Sequence, residues 1–152
     1  MGETSTASDF ARQLNRFYAV AAEVLIRHDG LIDKLIGDEV MGLFLADLAG
    51  PDYRRKTASA AIDLTAAASE LPVGVAANAG VAFVGNVGSG TVLDFTALGD
   101  AVNVGARLQS YAPPRQVVMS SDLYEFIGRH IPVPRRTFCR SRVGPSPYRW
   151  RS

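Results

Sequence analysis

The sequence has almost no chemistry for cross-linking. A single cysteine, Cys139, stands among 152 residues, so no internal disulfide can form. His28 and His130 lie too far apart in sequence to build a zinc site with it. This usage fits a reducing cytoplasm. An excess of one charge sign is also missing. Sixteen Lys and Arg against 15 Asp and Glu leave a net charge of +1, without the basic surplus expected of a nucleic-acid surface. No apolar run approaches the roughly 20 residues of a membrane-spanning helix. The polar start MGETSTASDF lacks the apolar stretch of a secretory signal. Repeats, low-complexity tracts and an internal linker are absent too. What is present, 47% apolar and 20% charged residues, is the composition of an ordinary globular protein, and the length suggests one domain over residues 1–152.

Apolar spacing organises the chain. Phe10, Leu14, Phe17, Ala21, Val24 and Leu25 recur every three or four residues, which predicts a helix over 7–28. Thr6 and Asp9 fit a capping signal, and Gly30 is a natural stop. Two short apolar runs, 31–36 and 40–45, flank Gly37-Asp38-Glu39 and read as a β-hairpin with an acidic tip. An alanine-rich helix follows over 52–70. Residues 71–87 read as extended, bent at Gly74, Gly80 and Gly85. A turn at 88–91 leads to a strand at 92–98 and a helix at 100–111, which Pro113-Pro114 must end. A strand at 116–120, a short helix at 121–129 and an Arg-rich hairpin at 135–152 complete the chain. This mixture predicts an α+β or α/β sandwich of helices on a sheet.

Two clusters carry possible chemistry. A Gly-Asp turn between apolar strands exposes the Asp38 carboxylate on a rigid support, and hard cations favour such oxygen ligands. The same dipeptide is also simply good turn chemistry. In the second cluster, TALGDAVNVGAR, Asn103 and Arg107 lie four apart and share one helix face, while Ala101, Val104 and Leu108 can face the core. An amide beside a guanidinium suits a sugar and a developing phosphoryl charge. In isolation, N-x-x-x-R reads as a solvated polar stripe.

Taken together, DKLIGDEVMGLF, VGNVGS and DFTALGDAVNVGARLQS resemble the catalytic domain of class III adenylate and guanylate cyclases in wording, order and spacing over roughly residues 10–150. The resemblance implies a ferredoxin-like βαββαβ core with extra C-terminal strands, and a head-to-tail dimer with active sites at its interface. It also implies magnesium or manganese as cofactor, two ions held by two aspartates and the triphosphate. The ribose 3′-oxygen of ATP attacks the α-phosphate in line and pyrophosphate leaves. On this pattern Asp38 is the second metal aspartate. Lys34 and Thr96 read the base, a pairing that favours adenine. Asn103 orients the ribose and Arg107 stabilises the transition state. Arg140 lies near the position of a triphosphate-binding basic residue, although Ser141 stands where that motif has Gly. In a homodimer, Asp38 comes from one subunit and Lys34, Thr96, Asn103 and Arg107 from the other.

The departures from the family are as informative. Its first strand, with the first metal aspartate, precedes the helix that here begins near residue 7. Only polar GETSTAS occupies that place, so the resemblance implies an N-terminally truncated domain. Asp9 and Glu3 are not good substitutes. Such a loss would strip neighbouring strands of ladder partners and leave Asp38 alone with the metals. Residues 76–79 read Ala-Ala-Asn-Ala where the family shows Gly-x-His-Thr. Gly105 sits inside a helix, and Arg115 replaces a common turn Gly. Two functions are expected from this pattern. One is an adenylate cyclase in cyclic-nucleotide signalling. The other is a degenerate, non-catalytic cyclase homology domain that dimerises or binds nucleotide. A third possibility, an unrelated ferredoxin-like domain binding nucleotide or RNA, conflicts with the near-neutral charge and the three motifs. The hairpin also differs from the G-G-[DE]-E-F signature of diguanylate cyclases. Cys139 reads as a small hydrophobe, His28 as a helix C-terminal residue, and Tyr148 and Trp150 as closing the core.

Overall fold

The structure is a computed structural model that describes residues 7–68, 71–128 and, by their backbone, 138–141. Helix α1, Ala7–Arg27, forms where the three-and-four spacing placed it. It buries Phe17, Ala21, Val24 and Leu25, whereas Phe10 of the same stripe lies exposed at its start. The hairpin follows as β1, Leu31–Ile36, and β2, Glu39–Leu43. Gly37, at its tip, adopts the left-handed φ of +58° that a tight turn requires. Gly42 lets β2 lie directly against α1, because a Cβ there would stand 2.7 Å from a Leu25 methyl. A short helix α2, Ala46–Ala49, which the sequence reading passed over, leads to α3, Tyr53–Ala67.

Alanine in α3 has a packing reason. One face, Ala60, Leu64 and then Ala68, meets Phe17, Ala21 and Val24 of α1. The other face, Ala58 and Ala61, meets a second cluster built from strands and a later helix. A helix buried on two sides needs small residues if both neighbours are to approach closely.

The extended region 71–87 forms strand only in part. It gives β3, Val75–Ala77, then an irregular stretch, then β4, Phe83–Ser89. β4 pairs antiparallel with β5, Val92–Leu98, in unbroken register from Phe83↔Leu98 to Ser89↔Val92. Helix α4, Asp100–Gln109, follows; Leu108 is fully buried, and Ala101 and Val104 are partly so. Then come β6, Val117–Ser120, α5, Ser121–Gly128, and β7, Phe138–Ser141. β6 runs parallel to β3 on one side and β7 on the other. Val117, Val118 and Met119 are all buried, the continuous apolar run expected of a central parallel strand. Arg115, in the turn before β6, adopts φ +61°, a conformation a glycine would take at less cost.

The α+β class holds, but the described residues do not share one sheet. The β1–β2 hairpin, the β4–β5 hairpin and the β3–β6–β7 sheet are separate ladders. Cys139 is placed by its backbone opposite Val118, while Thr6, Tyr148 and Trp150 lie outside the described residues. His28 lies just past α1, and its Nε2 is 2.8 Å from Asp63 Oδ2 of α3, so a carboxylate as well as the helix end holds it.

Two substitutions in α4 test this packing. Leu108→Ala should cost about 2–5 kcal/mol in urea unfolding, because it empties a fully buried site. Gly105→Ala should raise stability by up to about 1 kcal/mol, because a Cβ there meets nothing within 4 Å.

Candidate functional site

The site begins with an irregularity in β1. Ile32 pairs with Gly42 and Lys34 with Met41, so Asp33 has no residue opposite it on β2. A bulge of this kind re-aims a side chain. Asp33 reaches β5, where its Oδ2 accepts a hydrogen bond of 2.9 Å from Thr96 Oγ1. Thr96 is only 4% exposed. The second carboxylate oxygen, Asp33 Oδ1, is buried without a hydrogen-bond partner among the described residues. Beside this pair, the Lys34 ammonium donates to Asp94, two residues before Thr96 on the same face of β5.

The hydrogen bond from Lys34 to Asp94 raises the lysine pKa above its usual 10.5 against an opposing desolvation, with further help from the charges of Asp94 and Asp33. The sign follows directly. A raised pKa means that the pair's contribution is fully present below lysine's ordinary value and is lost as pH rises through the higher folded value. Lys34 therefore stays cationic throughout the neutral range.

Asn103 and Arg107 occupy successive turns of α4. The Arg107 Nε–H donates to the Asn103 carbonyl at 3.3 Å, which holds the guanidinium near the exposed Asn103 side chain. Asp38 stands exposed at the hairpin tip. The tip is tied down by Tyr18 of α1, whose hydroxyl donates to the Gly37 carbonyl. Arg140 is placed by backbone alone, on β7 opposite Met119.

Lys34 and Thr96, 62 positions apart, thus come together, and so do Asn103 and Arg107. Asp38 remains apart at its tip, with no hydrogen bond to any of them among the described residues. Asp33 and Asp94, which organise the first pair, escaped the sequence reading. Their signal was a charged residue inside each of two apolar strands, LIDKLI and VLDFTAL.

The described residues do not make up a two-metal site. Among them, no three Asp, Glu, His or Cys side chains come close enough to share an ion. Two clefts also lie elsewhere. One, between α1 and α3, is lined by Phe17, Val20, Ala68 and Leu71. The other, at the carboxyl ends of β3 and β6, is lined by Asn78, Val81, Asp100 and Ser120. Lys34, Asp38, Thr96, Asn103 and Arg107 line neither cleft.

Replacing Asp94 by Asn should lower the titration midpoint of Lys34 toward the ordinary value of 10.5, read by NMR of the labelled lysine side chain. An unchanged midpoint would show that Asp94 does not hold the ammonium in solution.

No established family profile matches the chain. The uncharacterized protein Rv1319c of Mycobacterium tuberculosis is 34% identical over 127 residues, which cover 79% of this chain. The chain spans about a quarter of the length of the curated relatives it matches, 24% in that case. Among solved structures, the guanylyl cyclase Cya2 is 26% identical with a TM-score of 0.72, covering 81% of this chain and 68% of its own. The adenylyl cyclase CyaB from P. aeruginosa, at 23% identity and a TM-score of 0.67, covers 84% of this chain and 73% of its own and shares the fold. No helix among the described residues is long and apolar enough to cross a membrane. In its fold and its three motifs, the chain is similar to the catalytic domains of the class III adenylyl and guanylyl cyclases.

Proposed function

We propose that the chain is an adenylate cyclase catalytic domain that converts ATP to 3′,5′-cyclic AMP and pyrophosphate as a head-to-tail homodimer. The observation that carries this reading is the pairing of the Lys34 ammonium and the Thr96 hydroxyl across β1 and β5, each held by its own carboxylate. In this reading the two side chains meet the edge of the adenine ring. Asn103 orients the ribose from the exposed face of α4. Arg107, held beside it, faces the charge that develops on the α-phosphate, where a fixed cation lowers the barrier most. Arg140 contributes to binding of the triphosphate.

The homodimer is supported by the surface of β4 and β5. Phe83, Leu93, Phe95 and Leu98 are each about half exposed or more, and Phe83 and Leu98 are directly paired. Phe83 and Leu98 lie on one face of the hairpin and Leu93 and Phe95 on the other, and exposed apolar side chains of this size suit an interaction surface. An open candidate site is also what a cleft completed by a second subunit leaves on each separate chain.

One observation favours a second reading, a non-catalytic cyclase homology domain that dimerises or binds nucleotide. Asp38 is the lone carboxylate assigned to magnesium or manganese, and the described residues gather no group of three potential metal ligands around it.

The two readings part in one assay. Purified chain with ATP and manganese should release cyclic AMP faster than it releases cyclic GMP from GTP. Arg107→Ala should cut that rate by about 10²–10³-fold, and Asp38→Ala should abolish it. Folded protein that binds ATP without turnover would sink the catalytic reading and leave the binding module.

A further inference from the structure

We infer that Asp33 is a positioning residue that sets the nucleobase preference of the site, by fixing the Thr96 hydroxyl as a hydrogen-bond acceptor. This rests on the reading that Lys34 and Thr96 face the base. The two readers are not equivalent. An ammonium carries donors only and no acceptor. It can donate to a ring nitrogen of adenine or to the carbonyl of guanine, so Lys34 alone does not separate the two. A threonine hydroxyl has one proton and two lone pairs, and its rotor ordinarily turns to suit either kind of partner. Left free, Thr96 would accept from an amino group at purine C6 or donate to a carbonyl there.

Asp33 removes that freedom. The bulge between Ile32 and Lys34 leaves it without a partner on β2 and turns it toward β5, where Oδ2 takes the Thr96 proton at 2.9 Å. Its other oxygen is buried without a partner, so the Thr96 hydroxyl is the one side-chain donor to this carboxylate among the described residues. Giving up that bond would leave a half-buried carboxylate with neither oxygen hydrogen-bonded to a side chain, which is costly. The proton therefore stays on the Asp33 side, and only lone pairs remain for a ligand. Thr96 is 4% exposed, which limits that ligand to a single contact at one edge. A 6-amino purine brings a donor to this edge. A 6-carbonyl purine brings an acceptor, and two acceptors repel. A half-buried carboxylate with one inaccessible, unpaired oxygen weakens the fold, and discrimination is the return for it.

The test compares binding of ATP and inosine triphosphate, which differ at C6 in this respect, by calorimetry on the full chain. The wild type should prefer ATP by about tenfold, the worth of one good hydrogen bond against a mismatch. Asp33→Leu is close in shape and has no acceptor; it should shrink the ratio to within about threefold. Asp33→Asn retains an acceptor oxygen and should restore the preference. Thr96→Val should flatten the ratio as Leu does, and the double variant should add nothing further, which keeps the test valid if Asp33→Leu folds poorly. A merely structural role for Asp33 would weaken both nucleotides together and leave the ratio intact. A wild-type ratio in both Asp33→Leu and Thr96→Val overturns the inference while leaving nucleotide binding in place. A wild-type chain that binds neither nucleotide overturns the inference together with the reading beneath it.

Discussion

Two hairpins that share no backbone ladder meet through side chains alone. The Thr96–Asp33 hydrogen bond and the Lys34–Asp94 ion pair form a seam between β1 and β5, and the geometry of the candidate site depends on it. The first hairpin carries Lys34 and, at its tip, Asp38. The second leads through Gly99 directly into α4 with Asn103 and Arg107. Whatever fixes the seam fixes how these groups stand to one another. An exposed ion pair such as Lys34–Asp94 adds little stability, so the seam supplies geometry rather than stability. Stability comes from elsewhere, chiefly from α3 with a core on each face and from the fully buried β6.

This division of labour follows from where each interaction sits. The two core clusters are apolar, non-directional and tolerant of small shifts. The seam is polar and directional, and each of its members has a donor or acceptor role that cannot be exchanged. A domain with this arrangement could retain its core while altering the seam, and with it the ligand that the site accepts. The solved relatives fit that picture in one respect: the same fold is found in a guanylyl cyclase and in an adenylyl cyclase.

Much of this was readable in the sequence, for reasons that differ by element. The spacing of Phe17, Ala21, Val24 and Leu25 fixed the inner face of α1, because a 3.6-residue period leaves little choice. Phe10 obeyed the same spacing yet lies exposed, since the stripe continues past the last element α1 packs on. Gly37-Asp38 specified the turn of the hairpin through backbone chemistry. The segment 71–87 was harder. Its small residues suit a strand or an irregular stretch equally, and pairing with β6 alone selected Val75–Ala77. His28 was legible as a helix end, but its partner Asp63 lies 35 residues away, beyond any local pattern. Lys34, Thr96, Asn103 and Arg107 came from motif resemblance. Asp33 and Asp94 open two of the quoted motifs, but the resemblance gives them no role, and their roles emerge only when β1 and β5 are set side by side.

The proposed function puts a nucleotide base on the β1–β5 seam. Backbone amide NMR of the labelled chain, titrated with ATP, tests it most directly. Shifts centred on Asp33, Lys34, Asp94 and Thr96, with weaker ones at Asn103 and Arg107, are the expected result. Shifts confined to the groove between α1 and α3, at Phe17, Val20 and Ala68, with the seam unmoved, would contradict the account.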